Sequence, residues 1–392
     1  MPTKPSLALI GATIYTSPSA ARIADGVVLV RDGKIADVSG KALVQLPADT
    51  EVLDCSGMTI LAGFWNSHVH FFERKWEKAA DLPAAELARQ LQDTFARYGF
   101  TSVFDTGSMW TNTRRIRDRI ESGEVQGPRI RSTGEVLLPP GAMPPDIVLA
   151  MMGTMKIANP EVADAAQATA VARMLLESGV DGIKLFASGN RGALMAKETM
   201  AAAVNEAQAA GKPVFVHPNS GTDVLTALQA GVDIIAHTTP SSGPWDRAIL
   251  DAMMDHHAAL IPTLTIWKWF ARHDRVSAQD RIVKTETEQL HAWLSAGGEV
   301  LFGTDLGAVD PDPAEEYLLM ATAGMNFPQI LASLTTAPAH RFGDAKTLGQ
   351  IARGFQADLV VLDGDPARDI RALTSARYTL RAGEIIYRAG AS

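Results

Sequence analysis

Residues 61–343 of the 392-residue chain alternate between short apolar runs and longer segments with helical periodicity. In the segment Leu82–Tyr98, for example, Leu87, Leu91 and Phe95 recur at a spacing that places them on one face of a helix. Eight strand and helix units in succession are typical of an α/β fold of the (β/α)8, or TIM-barrel, type. The predicted strands are Gly63–Phe71, Thr101–Gly107, Arg129–Gly134, Gly182–Ala187, Pro213–His217, Asp233–His237, Ala258–Leu264 and Glu299–Asp305.

Both ends of the chain are rich in β-forming and turn residues instead. Neither end has enough apolar surface to fold alone, so we expect the two ends to pair into one small β-sandwich-like domain. The predicted domains are residues 1–60 plus 344–392 for this β-domain and residues 61–343 for a catalytic barrel. The terminal strands are predicted at Leu7–Thr16, Gly26–Asp37, Glu51–Leu61, Asp358–Asp363, Tyr378–Arg381 and Glu384–Arg388.

Composition narrows the classes of function. The single cysteine, Cys55, excludes a disulfide framework and a thiolate zinc site, and it fits a reducing compartment, so we expect a cytoplasmic protein. The formal charge of −8 argues against nucleic acid or an anionic membrane as the main partner. No run approaches the ~18 apolar residues of a membrane span, and the first residues read as a strand rather than a secretion signal. We expect a small-molecule substrate, and whether the chain forms a homo-oligomer stays open.

Residues of metal-ligand type stand at the ends of five predicted barrel strands. The first strand contains His68-Val69-His70, and side chains two apart on a strand share a face. Lys184 lies inside an apolar run, where a charged ammonium is costly unless it is paired or modified. The fifth, sixth and eighth strands end in His217, His237 and Asp305. A lone buried histidine usually fills a core position, but six such residues at one end of a barrel favour a metal centre.

With these residues in view, the sequence resembles the amidohydrolase superfamily, and in particular its imidazolonepropionase-related and Xaa-Pro dipeptidase-like branch. The resemblance covers nearly the whole chain. It includes the N-terminal β-segment that leads into Leu61-Ala62-Gly63-Phe64, continues through the five ligand-bearing strands, and extends past Thr336-Ala337-Pro338-Ala339 to the segment Gly354–Leu362.

The resemblance implies a binuclear metal centre. Zinc suits histidine and carboxylate ligands, and manganese, iron or cobalt are compatible alternatives. The implied ligands are His68, His70 and Asp305 for one ion, His217 and His237 for the second, and Lys184, carboxylated on its amine, as a bridge between both.

Such a centre predicts a hydrolase that cleaves an amide-type C–N bond. Two ions ~3.5–4 Å apart can share a water as a bridging hydroxide, and Asp305 would act as general base and then general acid. The substrate would be an N-acyl amino acid, a dipeptide or a cyclic amide; an ester, lactone or carbamate is open to the same attack. One alternative is a mononuclear deaminase or cyclic-ring hydrolase in which Lys184 is unmodified. Another is a catalytically silent relative that serves as a scaffold or binding protein.

The neighbours of the ligands differ from those common in relatives. Asn66 stands where an acidic residue is frequent, Pro218-Asn219-Ser220 follows the fifth-strand ligand, and Ala236 precedes His237. These departures leave the substrate undecided.

Aromatic and basic residues near the predicted barrel mouth are candidates for substrate contacts. Trp65, Trp267 and Trp269 suggest an apolar or aromatic substrate group, while Arg191 or Lys268 would suit a substrate carboxylate. The proline-rich stretch Leu137–Pro160 is predicted to be a long active-site loop.

Overall fold

The computed structural model describes residues 6–40, 46–142, 153–189, 192–307, 309 and 312–390. Its strands are β1 (Leu7–Ile14), β2 (Ile23–Arg31), β3 (Lys34–Gly40), β4 (Glu51–Asp54), β5 (Met58–Ala62), β6 (Phe64–Val69), β7 (Phe100–Asp105), β8 (Arg129–Ser132), β9 (Ile183–Phe186), β10 (Val214–His217), β11 (Ile234–Ala236), β12 (Ala259–Ile261), β13 (Glu299–Val300), β14 (Leu359–Asp363), β15 (Ala376–Arg381) and β16 (Glu384–Arg388).

The α-helices follow the barrel strands. They are α1 (Ala84–Thr94), α2 (Trp110–Glu121), α3 (Ala165–Glu177), α4 (Lys197–Ala209), α5 (Gly221–Gln229), α6 (Arg247–Asp255), α7 (Leu264–Phe270), α8 (Val276–Ser295), α9 (Ala314–Thr322), α10 (Phe327–Leu334) and α11 (Thr336–Arg341). Among the described residues, no helix is both long and apolar enough to cross a membrane.

Strands β6 to β13 form a TIM-barrel-like core. Strands β6, β7 and β8 pair in parallel, and β9 to β13 form a second parallel sheet. Backbone hydrogen bonds join the sheets on both sides: the Asp305 N–H donates to the His68 carbonyl, and the Asp181 N–H donates to the Ser132 carbonyl. The prediction of a TIM-barrel-like α/β fold is therefore confirmed.

An aromatic cluster fills the barrel below the strand ends. Phe342, just after α11, has its ring centroid 5.4 Å from that of Trp65 and 4.8 Å from that of Phe104. Phe215 and Ile261 complete this layer, and all of its members are buried. The interior is thus a packed core rather than a pore, as is usual for this type of barrel.

The two ends of the chain pair into one sheet, with strand order β16-β15-β14-β5-β1-β2-β3 and β4 beside β1. Strand β14 is antiparallel to β5 along its whole length, from Leu359 opposite Ala62 to Asp363 opposite Met58. This pairing joins the strands of both chain ends into one hydrogen-bonded sheet among the described residues, and the sandwich-like arrangement stays a prediction. Cys55 is buried in the core of this sheet, and its thiol pKa is raised by burial to about 12.

The predicted active-site loop is described only in part, because residues 143–152 lie outside the described residues. At its start, Leu137 bridges Leu185 of β9. Near its end, Thr154 bridges Glu73, a few residues after His70. These two contacts place both ends of the loop at the C-terminal rim of the barrel.

Candidate metal centre

Four histidines and one aspartate converge at the C-terminal ends of the barrel strands. The Asp305 carboxylate lies 2.9 Å from His70 Nε2 and 3.6 Å from His68 Nε2, measured from Oδ1, and its Oδ2 lies 3.8 Å from His237 Nδ1. The His237 ring centroid is 4.8 Å from that of His68 and 4.6 Å from that of His217. Residues from four strand ends, 237 positions apart at the extreme, thus form one compact cluster.

Lys184 belongs to the same cluster. Its residue is 1% exposed, and its Nζ has no hydrogen-bond partner among the described residues. Burial lowers the pKa of this lysine to about 7, although the Asp305 carboxylate opposes the shift. A neutral amine is the nucleophilic form of lysine, so this environment suits the predicted carboxylation, which stays a prediction.

The buried polar atoms of this cluster fit a metal ion. Both ring nitrogens of His68 are buried without a described hydrogen-bond partner, as is Lys184 Nζ, and such atoms are costly when unsatisfied. Ligand atoms of His68, His70 and Asp305 lie within 4.8 Å of one another. A divalent cation would satisfy these atoms, and the nitrogen and oxygen donors suit zinc and related metals.

The protonation states of three of the histidines also favour metal binding. Burial and the neighbouring Lys184 lower the pKa of His68 well below its ordinary value and that of His217 to about 4. Burial and His217 lower the pKa of His237 as well. These rings are therefore neutral at pH 7, and the neutral imidazole is the form that binds metal.

Hydrogen bonds assign the free nitrogen of three histidines. His70 Nδ1 lies 2.9 Å from the Gly107 carbonyl, so Nδ1 carries the proton and Nε2 faces Asp305. His237 Nδ1 lies 2.6 Å from Thr263 Oγ1, which itself donates to the Pro262 carbonyl and therefore accepts from the ring. His217 Nε2 is 3.3 Å from Asn219 Oδ1, which leaves its Nδ1 free. Each outer partner thus orients one ring for ligation.

The backbone at three adjacent strand ends is in the left-handed region. His237, Thr263 and Asp305 have φ values of 77°, 44° and 57°. Non-glycine residues in such conformations cost on the order of 1–3 kcal/mol each and persist where the surroundings enforce them. The three strained residues are two members of the cluster, His237 and Asp305, and the hydrogen-bond partner of His237, Thr263.

The sequence pattern of the amidohydrolase family matches residues 59–386 of this chain. The chain belongs to the amidohydrolase family. An ochratoxinase from Aspergillus niger is 23% identical over 357 residues, which cover 80% of this chain and 72% of that protein. A candidate prolidase from Bifidobacterium longum is 25% identical, with a TM-score of 0.82 over 100% of this chain and 97% of its own. A Xaa-Pro dipeptidase with bound methionine is 21% identical, with a TM-score of 0.81 over 98% and 100% of the two chains.

The predicted superfamily and its dipeptidase-like branch are therefore confirmed, and this amidohydrolase is an enzyme of a hydrolase family that acts on C–N bonds. Its departures from common family patterns have structural roles. Asn66 Oδ1 accepts the N–H groups of His68 and Thr304, and its Nδ2 donates to Thr304 Oγ1. This neutral side chain therefore ties the first strand to the eighth directly behind the ligands.

Asn219 has a comparable role beside His217. Its Nδ2 donates to both oxygens of Ser188, at 3.0 Å each, and its N–H donates to Asp223. Asp223 also takes part in a capping box with Ser220 at the start of α5. The amidohydrolase thus anchors the fifth-strand ligand to a helix terminus through a chain of polar side chains.

Sequence reasoning missed two residues that support the ligands. Thr263, described above, orients His237. Asp105, at the end of β7, is fully buried and accepts hydrogen bonds from Ser108 and Ser132 Oγ, both at 2.5 Å. It also accepts the N–H of Gly107, whose carbonyl binds His70. An acidic residue at a strand end was the available signal for Asp105; nothing in the sequence marks Thr263.

The residues predicted to contact the substrate differ in their positions relative to the metal ligands. Trp65 is 1% exposed and packs in the aromatic layer below the ligands, so its prediction as a substrate contact is wrong. Lys268 is half-exposed and forms an ion pair with Glu315. Trp267 lies edge-on to His237, with ring centroids 6.1 Å apart. Trp269 stacks under the Arg272 guanidinium. Arg191 lies outside the described residues.

Proposed function

We propose that this amidohydrolase hydrolyses an amide-type C–N bond at a binuclear metal centre. The observation that carries the proposal is the convergence of Asp305 with four histidines around a buried Lys184 whose Nζ has no hydrogen-bond partner among the described residues. The substrate classes are N-acyl amino acids, dipeptides and cyclic amides. Esters, lactones and carbamates present a carbonyl of the same polarity.

Each proposed ligand has a defined place. His68, His70 and Asp305 would hold one divalent ion, His217 and His237 the other, and Lys184, carboxylated, would bridge them. Bound divalent ions supply Lewis acidity toward the substrate carbonyl and acidify the attacking water. Zinc fits the donor set best, since all ligand atoms are nitrogen or oxygen.

Asp305 handles the proton. Burial raises its pKa, but His68, His70 and His237 outweigh this, and the pKa lies well below the ordinary value. The carboxylate is therefore ionised at neutral pH and can accept a proton from the attacking water. It then delivers that proton to the departing nitrogen, whose basicity rises as the C–N bond breaks.

The relatives support an amide substrate. One is named a Xaa-Pro dipeptidase and another an ochratoxinase, and the family pattern spans the whole proposed site. At these sequence identities the substrate of a relative is not assigned to this chain.

The test is a panel of N-acyl amino acids, Xaa-Pro dipeptides, cyclic amides and aryl esters, assayed with chelated and metal-reconstituted protein. We expect hydrolysis only after reconstitution, with a carboxylate and an amine as the products of the amide substrates. Release of ammonia from an amino-substituted ring would favour a deaminase instead. Full metal loading without turnover of any panel member would indicate a silent relative.

A further inference from the structure

Two apolar clusters border the metal centre on opposite sides. The first, here called the β9 cluster, consists of Phe186 and Ala193 packed against Val136, Leu138 and Ala142. The second, here called the β13 cluster, consists of Phe72, Trp267 and Trp269 packed against Ile266 and Val309. Both lie in the segments that follow barrel strands, which is where such barrels bind ligands.

Phe186 projects into the barrel mouth. It lies two positions after Lys184 on β9, so the two side chains share the inward face of the strand. Its ring centroid is 6.0 Å from Lys184 Nζ, and it stacks on His217 with centroids 4.4 Å apart and planes 12° apart. The side chain is only half-buried. One edge of the ring is therefore available to a ligand held at the centre.

Phe72 has the equivalent position on the other side. Its ring stacks on His70, with centroids 4.4 Å apart and planes 18° apart, and it is also half-buried. In the same cluster, Trp267 lies edge-on to His237. Three of the four histidines of the centre thus have an aromatic side chain against the ring.

The two clusters face each other across the centre. The strand order around the barrel places β9 four strands from β13 in either direction. The β13 cluster is centred on β13, because its members follow β12, β13 and β6. Two basic side chains beside the β13 cluster have partners of their own. Lys268 forms an ion pair with Glu315, and the Arg272 guanidinium lies 3.5 Å from the centroid of the Trp269 ring. A molecule that reaches the metals is therefore flanked by apolar surface on two sides.

We propose that the substrate carries an apolar group, preferably aromatic, on each side of the scissile C–N bond. One group packs against Phe186 in the β9 cluster, and the other packs against Phe72 and Trp267 in the β13 cluster. Aromatic rings gain from stacked and edge-on contacts with such side chains. This inference rests on the proposed amide hydrolysis and names its substrate class: an aroylated or similarly acylated apolar amine or amino acid.

A set of four substrates tests both sides separately. N-benzoyl-L-phenylalanine, N-benzoylglycine, N-acetyl-L-phenylalanine and N-acetylglycine share one carboxylate and differ only in apolar groups. We expect kcat/KM of the zinc-reconstituted full-length protein to rise about 10- to 100-fold with each aromatic group, the discrimination typical of an apolar pocket. Equal kcat/KM for all four would overturn the inference while leaving amide hydrolysis intact.

Binding separates this inference from the proposed function. Calorimetry of the same four compounds with the metal-free protein measures apolar recognition without turnover. If no compound is hydrolysed yet affinity still rises with each aromatic group, the proposed function fails, while recognition of two apolar groups by the two clusters stands. If affinity is also indifferent to the aromatic groups, the inference fails too.

Matched variants locate the two sides. Phe186→Leu should reduce the preference for one aromatic group about tenfold, and Phe72→Leu should reduce the preference for the other. Phe327→Leu makes the same change at a half-buried phenylalanine that packs edge-on against Tyr15, away from the mouth, and should leave both preferences unchanged. Metal content, measured in each variant, should equal that of the parent. Unchanged preferences in both mouth variants would contradict the assignment.

Discussion

Asp305 is the single residue on which the proposed chemistry depends most. Its carboxylate contacts His70 and lies near His68 and His237. These contacts should keep a side chain of the same shape in place even when it can no longer accept a proton. Asp305→Asn should retain most of the metal and lower kcat by ~10²–10⁴-fold, the usual contribution of a proton-transfer group. Steady-state kinetics and elemental analysis of the same preparation check both parts.

The control for Asp305→Asn is Asp255→Asn, the same change at an exposed carboxylate at the end of α6. It should leave kcat unchanged. Near-normal turnover in Asp305→Asn would refute the role of Asp305 in proton transfer.

Variants of Thr263 test whether the hydrogen bond to the proposed ligand His237 contributes to metal affinity. Its hydroxyl accepts from His237 Nδ1 at 2.6 Å and donates to the Pro262 carbonyl. Thr263→Val removes both bonds at nearly constant shape, and metal affinity should fall ~10–100-fold, as is typical for outer partners of metal ligands. Thr263→Ser keeps the hydroxyl and should bind metal normally. Competition with a chelating dye measures both, and equal affinities would show that His237 needs no such partner.

At the scale of elements, helix α8 contains a buried acid with an unusual environment. Both carboxylate oxygens of Glu286 are buried without a described hydrogen-bond partner. Burial, with a smaller contribution from Glu316, raises its pKa from 4.5 to about 10. A carboxyl whose pKa is higher in the folded than in the unfolded state stabilises the fold at low pH and loses that contribution as pH rises toward the folded pKa.

The free energy of unfolding should therefore decrease from about pH 5 to about pH 10, by up to ~1.4 kcal/mol per pH unit from this group. Glu286→Gln has nearly the same shape and no titration, so its decrease should be shallower. Urea denaturation at pH 6 and pH 9 measures the difference between the two proteins. The same pH dependence in both would mean that Glu286 is not protonated in the folded state.

Much of the site was predictable from the elements. A His-x-His pair at a strand end and ligand-type residues at four further strand ends require only strand periodicity and the convergence of parallel strands. The failure at Trp65 is instructive, because strict alternation along β6 would put Trp65 on the face opposite His68, and register shifts on both sides of Trp65 and Asn66 interrupt that alternation. Trp65 points into the barrel, yet one layer below His68, where Phe342 covers it. That contact joins residues 277 positions apart, and no local pattern encodes it.

The supporting role of Thr263 was beyond sequence reasoning for a related reason. Thr263 acts through a left-handed backbone conformation at φ 44°, which threonine rarely adopts and which its neighbours impose. Phe186 was visible as part of an apolar strand, but its stacking on His217 depends on the pairing of β9 with β10.

For the whole molecule, the junction between barrel and terminal sheet depends on a buried ion pair. Arg129 of β8 contacts Asp358, just before β14, at 2.9 Å, and the two side chains are 19% and 5% exposed. The Asp358 carboxylate also accepts the Ala382 N–H. Asp358→Ala leaves a buried guanidinium unpaired and should lower the free energy of unfolding by ~3–5 kcal/mol.

Asp363→Ala, at the exposed end of the same strand, is the control and should change stability by no more than about 0.5 kcal/mol. Denaturant unfolding of both variants provides the comparison. A small effect of Asp358→Ala would mean that the terminal sheet is held to the barrel by apolar packing alone.

We propose that two metal ions, held by six residues, make this fold a hydrolase. The most direct measurement strips the protein with a chelator, titrates zinc back, and follows bound metal per chain together with amide hydrolysis. We predict that the rate of hydrolysis rises as the second ion per chain binds. We also predict that Lys184→Ala binds less metal than the parent while its fold is unchanged. A full rate of hydrolysis at one ion per chain, together with no added mass on the peptide that contains Lys184, would contradict a binuclear centre.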